Sequence, residues 1–98
     1  ANEPALETIL VVEDEAGIRA LVRKILRRQG YTVLEASNGD EALQACAQQK
    51  GRIDLLVTDV MMPQMSGREL ADKLTSLRPD LRVLYVSGYT DDAMLQSG

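Results

Sequence analysis

The chain has 98 residues and a net charge of −4. That is enough for one small core, but scattered basic residues on an acidic chain argue against a nucleic-acid-binding face. Hydrophobic residues at 45% and charged residues at 27% exclude a disordered chain, and no apolar stretch approaches membrane-spanning length.

Residues 1–7 read as a loose tail carrying Pro4. Thr8 to Val12 is a short, β-branched, apolar run that predicts the first strand. It ends at Glu13-Asp14-Glu15. A first helix is expected from about Glu15 to Gln29. Its apolar positions Ile18, Leu21, Val22, Ile25 and Leu26 recur at i, i+3, i+4, i+7 and i+8, which predicts a core-facing stripe. Arg19, Arg23, Lys24, Arg27 and Arg28 lie largely off that stripe and read as a solvated face. Gly30 is placed to end the helix in the left-handed conformation.

The second strand is predicted over Tyr31 to Glu35. Asn38-Gly39-Asp40-Glu41 then turns into a second helix, Asp40 to about Gln49, with Ala42, Leu43, Ala45 and Cys46 facing inward. Cys46 is the single cysteine, and a small buried residue is its expected role. The run Ile53-Asp54-Leu55-Leu56-Val57-Thr58-Asp59 suits a strand buried on both faces and ending at an acid. Ser66 and Glu69 fit a capping box for a third helix. Leu70, Leu74 and Leu77 give that helix its apolar side, and Arg78-Pro79-Asp80 stops it. Arg82 to Val86 is the fourth strand, followed by Ser87-Gly88-Tyr89-Thr90. A fourth helix is expected to open near Asp91.

This alternation predicts a parallel α/β sheet with right-handed crossovers. The first, third and fourth strands would then end on one edge, where such sheets place their chemistry. Glu13, Asp14, Asp59 and Ser87 gather there. Crowded carboxylates repel unless a cation binds between them, and Mg2+ (or Mn2+) suits hard oxygen ligands. Asp14 and Asp59 would bind it directly and Glu13 directly or through water. The backbone carbonyl of Met61 would complete the protein's share. Asp59 could then act as a nucleophile toward phosphorus. Phosphoryl transfer depends on positioning and charge neutralisation, so the absence of histidine is no obstacle.

From Thr8 to about Leu95 the chain closely resembles the receiver domain of two-component response regulators, including receivers attached to hybrid histidine kinases. The resemblance rests on Ile9-Leu10-Val11-Val12-Glu13-Asp14-Glu15, on Asp59-Val60-Met61-Met62-Pro63-Gln64-Met65-Ser66-Gly67, and on Val86-Ser87-Gly88-Tyr89. It implies a doubly wound, flavodoxin-like fold with strand order 2-1-3-4. It also implies that Asp59 takes a phosphoryl group from a phosphohistidine on a histidine kinase or a histidine phosphotransfer domain. Glu13 and Asp14 match the acid pair that holds Mg2+. Ser87 matches the hydroxyl that bonds a phosphoryl oxygen and moves upon phosphorylation. Met61 and Tyr89 match positions that flank the site and influence water access, and Pro63 and Gly67 match the loop shape. Such a domain is a phosphoacceptor that catalyses its own phosphorylation and dephosphorylation, rather than a turnover enzyme. Its expected location is the cytoplasm, whether or not the parent protein is membrane-anchored.

One departure from the family pattern stands out. The pattern continues into a fifth strand carrying a Lys-Pro pair and then a fifth helix. Lys24, Lys50 and Lys73 are the three lysines; all lie on predicted helices and cannot fill that role. Residues 8–98 therefore read as an incomplete receiver. The expectation is self-association, through an exposed fourth strand or the uncovered face of the first helix, or instability alone. Two other classes stay open: a module that binds or dimerises without carrying phosphate, and a Mg2+-dependent phosphatase with an aspartyl nucleophile. The second usually needs an acid two residues after the nucleophile, where this chain has Met61.

Overall fold

Strands and helices alternate from residue 7 to residue 86, the range described in this computed structural model. They are β1 (Thr8–Val12), α1 (Ala16–Arg28), β2 (Thr32–Ala36), α2 (Gly39–Gln48), β3 (Leu55–Asp59), α3 (Gly67–Leu77) and β4 (Arg82–Val86). The four strands pair in parallel in the order β2-β1-β3-β4. The boundaries lie within one residue of the sequence expectation except at the start of β3, where the run expected from Ile53 pairs only from Leu55. The expected fourth helix, Ser87 and Tyr89 lie outside the described residues.

The apolar runs of β1 and β3 reflect their central places. Ile9, Leu10, Val11, Val12, Leu56 and Val57 are all buried, as expected for strands covered on both sides. Alternate side chains divide between two cores. Leu10, Val12 and Leu56 meet Ala42 and Cys46 of α2 and Leu70, Ala71 and Leu74 of α3. Ile9, Val11, Val33 and Val57 meet Val22 and Leu26 of α1.

Helix α1 departs from the expected stripe. Val22 and Leu26 pack on the sheet, but Ile18, Leu21 and Ile25 are 39%, 59% and 50% exposed. The apolar stripe is wider than the contact the sheet provides, and the helix is turned toward β2. Arg19 and Arg23, expected on a solvated face, instead ion-pair with Glu35 of β2 at 3.6 and 3.1 Å. Gly30 ends the helix as expected, with φ 98°. The Gly30 N–H donates to Arg27 O and that of Tyr31 to Leu26 O, the paired bonds of a Schellman motif.

The other helices start on side-chain caps. Asn38 Oδ1 accepts from the Glu41 N–H at 2.8 Å. Glu41 reaches back to the Ser37 N–H, which with the Ser37 hydroxyl holds its carboxyl below the ordinary value. Ser66 and Glu69 close the expected capping box at 3.1 and 3.0 Å.

Arg78, just past α3, is bound to the far end of α2. Its guanidinium donates to the carbonyls of Cys46, Gln49 and Gly51 at 2.9, 2.8 and 3.0 Å, and to Cys46 Sγ at 2.9 Å. The last carbonyls of a helix have no partner within it, so one side chain completes α2 and ties it to α3. Cys46 itself is buried, as expected. Arg78→Met should lower unfolding stability in urea by about 1.5–3 kcal/mol, the usual worth of charge-assisted bonds to otherwise unpaired acceptors. A loss below about 0.5 kcal/mol would mean that water replaces the guanidinium freely.

Candidate functional site

Register places the acids. Val12 of β1 stands opposite Thr58 of β3, so Glu13 and Asp59 follow side by side at the C-terminal edge of the sheet. The carboxylate oxygens of Glu13, Asp14 and Asp59 lie within 4.8 Å of one another. Glu13 and Asp59 are both 5% exposed, whereas Asp14 is open to solvent. The structure brings these three acids of the sequence analysis together at one place.

Two hydrogen bonds orient the buried pair. Glu13 Oε2 accepts from the Glu15 N–H at 3.0 Å. Asp59 Oδ1 accepts from the Met61 N–H at 3.3 Å. Burial pushes the Glu13 carboxyl above its ordinary value, and the negative charges of Asp59 and Asp14 push it the same way. Three carboxylates held this close, two of them out of water, suit a small divalent cation with oxygen ligands. That cation would supply the positive charge that a phosphoryl group approaching Asp59 requires.

The loop after β3 shapes the approach to these acids. Asp14, Val60, Met61, Met62, Pro63 and Ser66 line an open groove of about 510 Å³. Met61 is 65% exposed at its mouth, while Met62 and Met65 pack against the core. The loop turns tightly at Gln64, whose φ is 75°, with the Met65 N–H donating to Pro63 O at 2.8 Å. This is a γ-turn of the uncommon hand. Gly67 then starts α3 hard against the backbone of Asp59 and Val60. On the other side, Val86 ends β4 opposite Asp59. The Val60 N–H donates to Val86 O at 3.0 Å.

Sequence reasoning missed the polar side chains that support the acids. Arg19 of α1 donates to the carbonyl of Glu13 at 2.7 Å. Asp54, at the opposite end of β3, accepts from the Thr8 N–H at 2.9 Å and pairs with Arg52 at 2.7 Å, which fixes the start of the β1–β3 register. The bonds from Arg19 to the Glu13 carbonyl and from the Thr8 N–H to Asp54 both involve backbone groups, so no side-chain pattern in the sequence marks them.

Comparison with known proteins decides the family. The model of the response regulator receiver domain matches residues 9–98. The chain belongs to that family. As a receiver domain it is a phosphoacceptor module of two-component systems. It is 41% identical over 90 residues to the sensor kinase CckA of Brucella abortus, an alignment spanning 92% of this chain and 10% of the kinase. Among solved structures, the response regulator TrrA of Thermotoga maritima in complex with Mg2+-BeF superposes with a TM-score of 0.76 at 35% identity. That match covers 88% of this receiver domain and 73% of TrrA. The complex of histidine kinase ThkA with TrrA gives a TM-score of 0.74 at 36% identity, covering 86% of this chain and 71% of that one. No helix among the described residues is long and apolar enough to cross a membrane.

Proposed function

We propose that Asp59 of this receiver domain accepts a phosphoryl group from a phosphohistidine on a histidine kinase or a histidine phosphotransfer domain. The observation that carries this reading is the gathering of the Glu13, Asp14 and Asp59 carboxylate oxygens within 4.8 Å at the edge of the sheet. Glu13, Asp14 and Asp59 would hold Mg2+, with the Met61 carbonyl as a further ligand; Mn2+ would fit the same oxygen donors. Bound there, the cation supplies charge neutralisation for the incoming phosphoryl oxygens.

The chain's own groups do the rest. The Met61 N–H holds Oδ1 of Asp59, and Oδ2 has no hydrogen-bond donor among the described residues. Oδ2 forms the new P–O bond as the P–N bond of the donor breaks, and the imidazole leaves with that electron pair. β3 is buried on both faces, which keeps the nucleophile from moving away during in-line attack. Ser87, the residue after Val86, would donate its hydroxyl to a phosphoryl oxygen. Met61 and Tyr89 would flank the acylphosphate and limit the entry of water. A turnover phosphatase is disfavoured because the residue two after Asp59 is Met61, which has no proton to give. Copies of the chain would associate through the exposed Leu84, Tyr85 and Val86 of β4 or Leu21 and Ile25 of α1.

Incubation with a phosphorylated histidine phosphotransfer protein tests the proposal. One label should pass to each chain, and EDTA should block the transfer. Continuous release of inorganic phosphate over many turnovers would instead make the site an enzyme. A chain that stays unlabelled in Mg2+ would make it a binding module.

A further inference from the structure

We infer that Arg19 is a positioning residue for the metal-binding acids, and that it acts on the backbone rather than by its charge. The inference rests on the proposed assignment of Glu13, Asp14 and Asp59 as the Mg2+ site. Arg19 Nη1 donates to the carbonyl oxygen of Glu13 at 2.7 Å, a short charge-assisted bond. That carbonyl belongs to the peptide unit joining Glu13 to Asp14. The peptide is planar, so fixing its oxygen fixes the plane from which the Asp14 Cα departs. Asp14 is the acid that most needs such help. Glu13 and Asp59 are buried on central strands, whereas Asp14 is exposed, one residue beyond Glu13.

The arginine is itself held in place. Its Nε lies 3.6 Å from Glu35 Oε1, and the same carboxylate takes Arg23 Nη1 at 3.1 Å. Its side chain is 21% exposed. The Arg19 N–H also donates to Glu15 O at 2.9 Å in the first turn of α1. A residue of α1 is thus anchored on β2 and grips the turn that presents the acids. The guanidinium of Arg19 pairs with the Glu35 carboxylate and reaches Glu13 at its backbone carbonyl.

Mg2+ affinity measured by titration calorimetry on the full chain tests this, with Asp14→Asn as reference. Arg19→Gln should bind Mg2+ about three- to tenfold more weakly, the worth of one such hydrogen bond. Arg19→Lys, which keeps a donor toward the carbonyl, should recover most of that loss. Glu35→Gln, which removes the ion pairs but leaves the Glu13 bond, should stay within about twofold of the parent. The Mg2+ concentration for half-maximal phosphorylation by acetyl phosphate should rise in Arg19→Gln, with the rate at saturating Mg2+ unchanged. Parent-like affinity in Arg19→Gln alongside a large loss in Asp14→Asn would overturn the inference and leave the site assignment standing. Equal losses in Arg19→Gln and Glu35→Gln would also overturn it, by placing the effect in the Glu35 ion pairs rather than in the bond to the Glu13 carbonyl. Parent-like affinity in Asp14→Asn would sink the site assignment, and the inference with it.

Discussion

Gly67→Ala should cost about 3 kcal/mol or more of unfolding stability and weaken the site as well. A Cβ at residue 67 would strike the carbonyl oxygen of Asp59 and come within 3.1 Å of its carbonyl carbon and 3.2 Å of the Val60 Cα. Every obstacle is backbone, so no side chain can swing aside. Either α3 withdraws, breaking the 2.9 Å bond from the Gly67 N–H to Val60 O, or the end of β3 moves and carries Asp59 with it. Gly17→Ala supplies the contrasting control. Gly17 lies inside α1 with nothing within 4 Å of its Cβ direction. Alanine there should stabilise by about 0.5–1 kcal/mol through helix propensity. Urea unfolding of both variants checks the signs, and a tolerated Gly67→Ala would mean that the junction of α3 with β3 is far looser than its geometry.

Neutralising Glu13 should move stability and metal affinity in opposite directions. Its carboxyl is raised above 4.5, first by burial and then by the side chain of Asp14 and the charge of Asp59, against the lowering effect of the Glu15 N–H. A carboxyl raised in the folded state binds more protons there than in the unfolded chain. Metal-free stability therefore falls as pH rises from about 4.5 through the folded value, and the loss is complete only above that value. Glu13→Gln removes that penalty. In EDTA at pH 7 the variant should melt at a higher temperature than the parent, and its stability should no longer fall over that window. In Mg2+ the order should reverse, because the parent gains binding free energy while the variant binds at least about tenfold more weakly for want of a charged ligand. Thermal melts with EDTA and with saturating Mg2+, at several pH values, provide the check. A variant less stable than the parent in EDTA would show that the bond from the Glu15 N–H outweighs the charge crowding.

The sheet was legible in the sequence because its central strands are buried on both faces. Thr8–Val12 and Leu55–Asp59 have no solvent side to interrupt their apolar runs, and their ends carry the acids directly. The capping box at Ser66 and Glu69 was legible because the cap and its partner are three residues apart. The face of α1 was not. A five-residue apolar stripe gives the helix a direction, but it does not say that only Val22 and Leu26 would reach the sheet while Arg19 and Arg23 pair with Glu35. Nor did any signal point to Gln64 at φ 75°, where glycine or asparagine is the usual mark of a left-handed residue. Arg19 and Arg78 escaped for a shared reason. Each binds backbone carbonyls, and a carbonyl is present at every residue, so the sequence records the donor without its target. Ser87 and Tyr89 lie outside the described residues, and their roles rest on the motif that contains them.

Asp59 is proposed as the phosphoacceptor of a magnesium site. Intact-protein mass after incubation with Mg2+ and acetyl phosphate, with Asp59→Asn alongside, tests it most directly. The expected result is a single phosphoryl addition to the parent chain, absent in Asp59→Asn and absent in EDTA. An addition that persists in Asp59→Asn, or no addition to a folded parent that binds Mg2+, would contradict it.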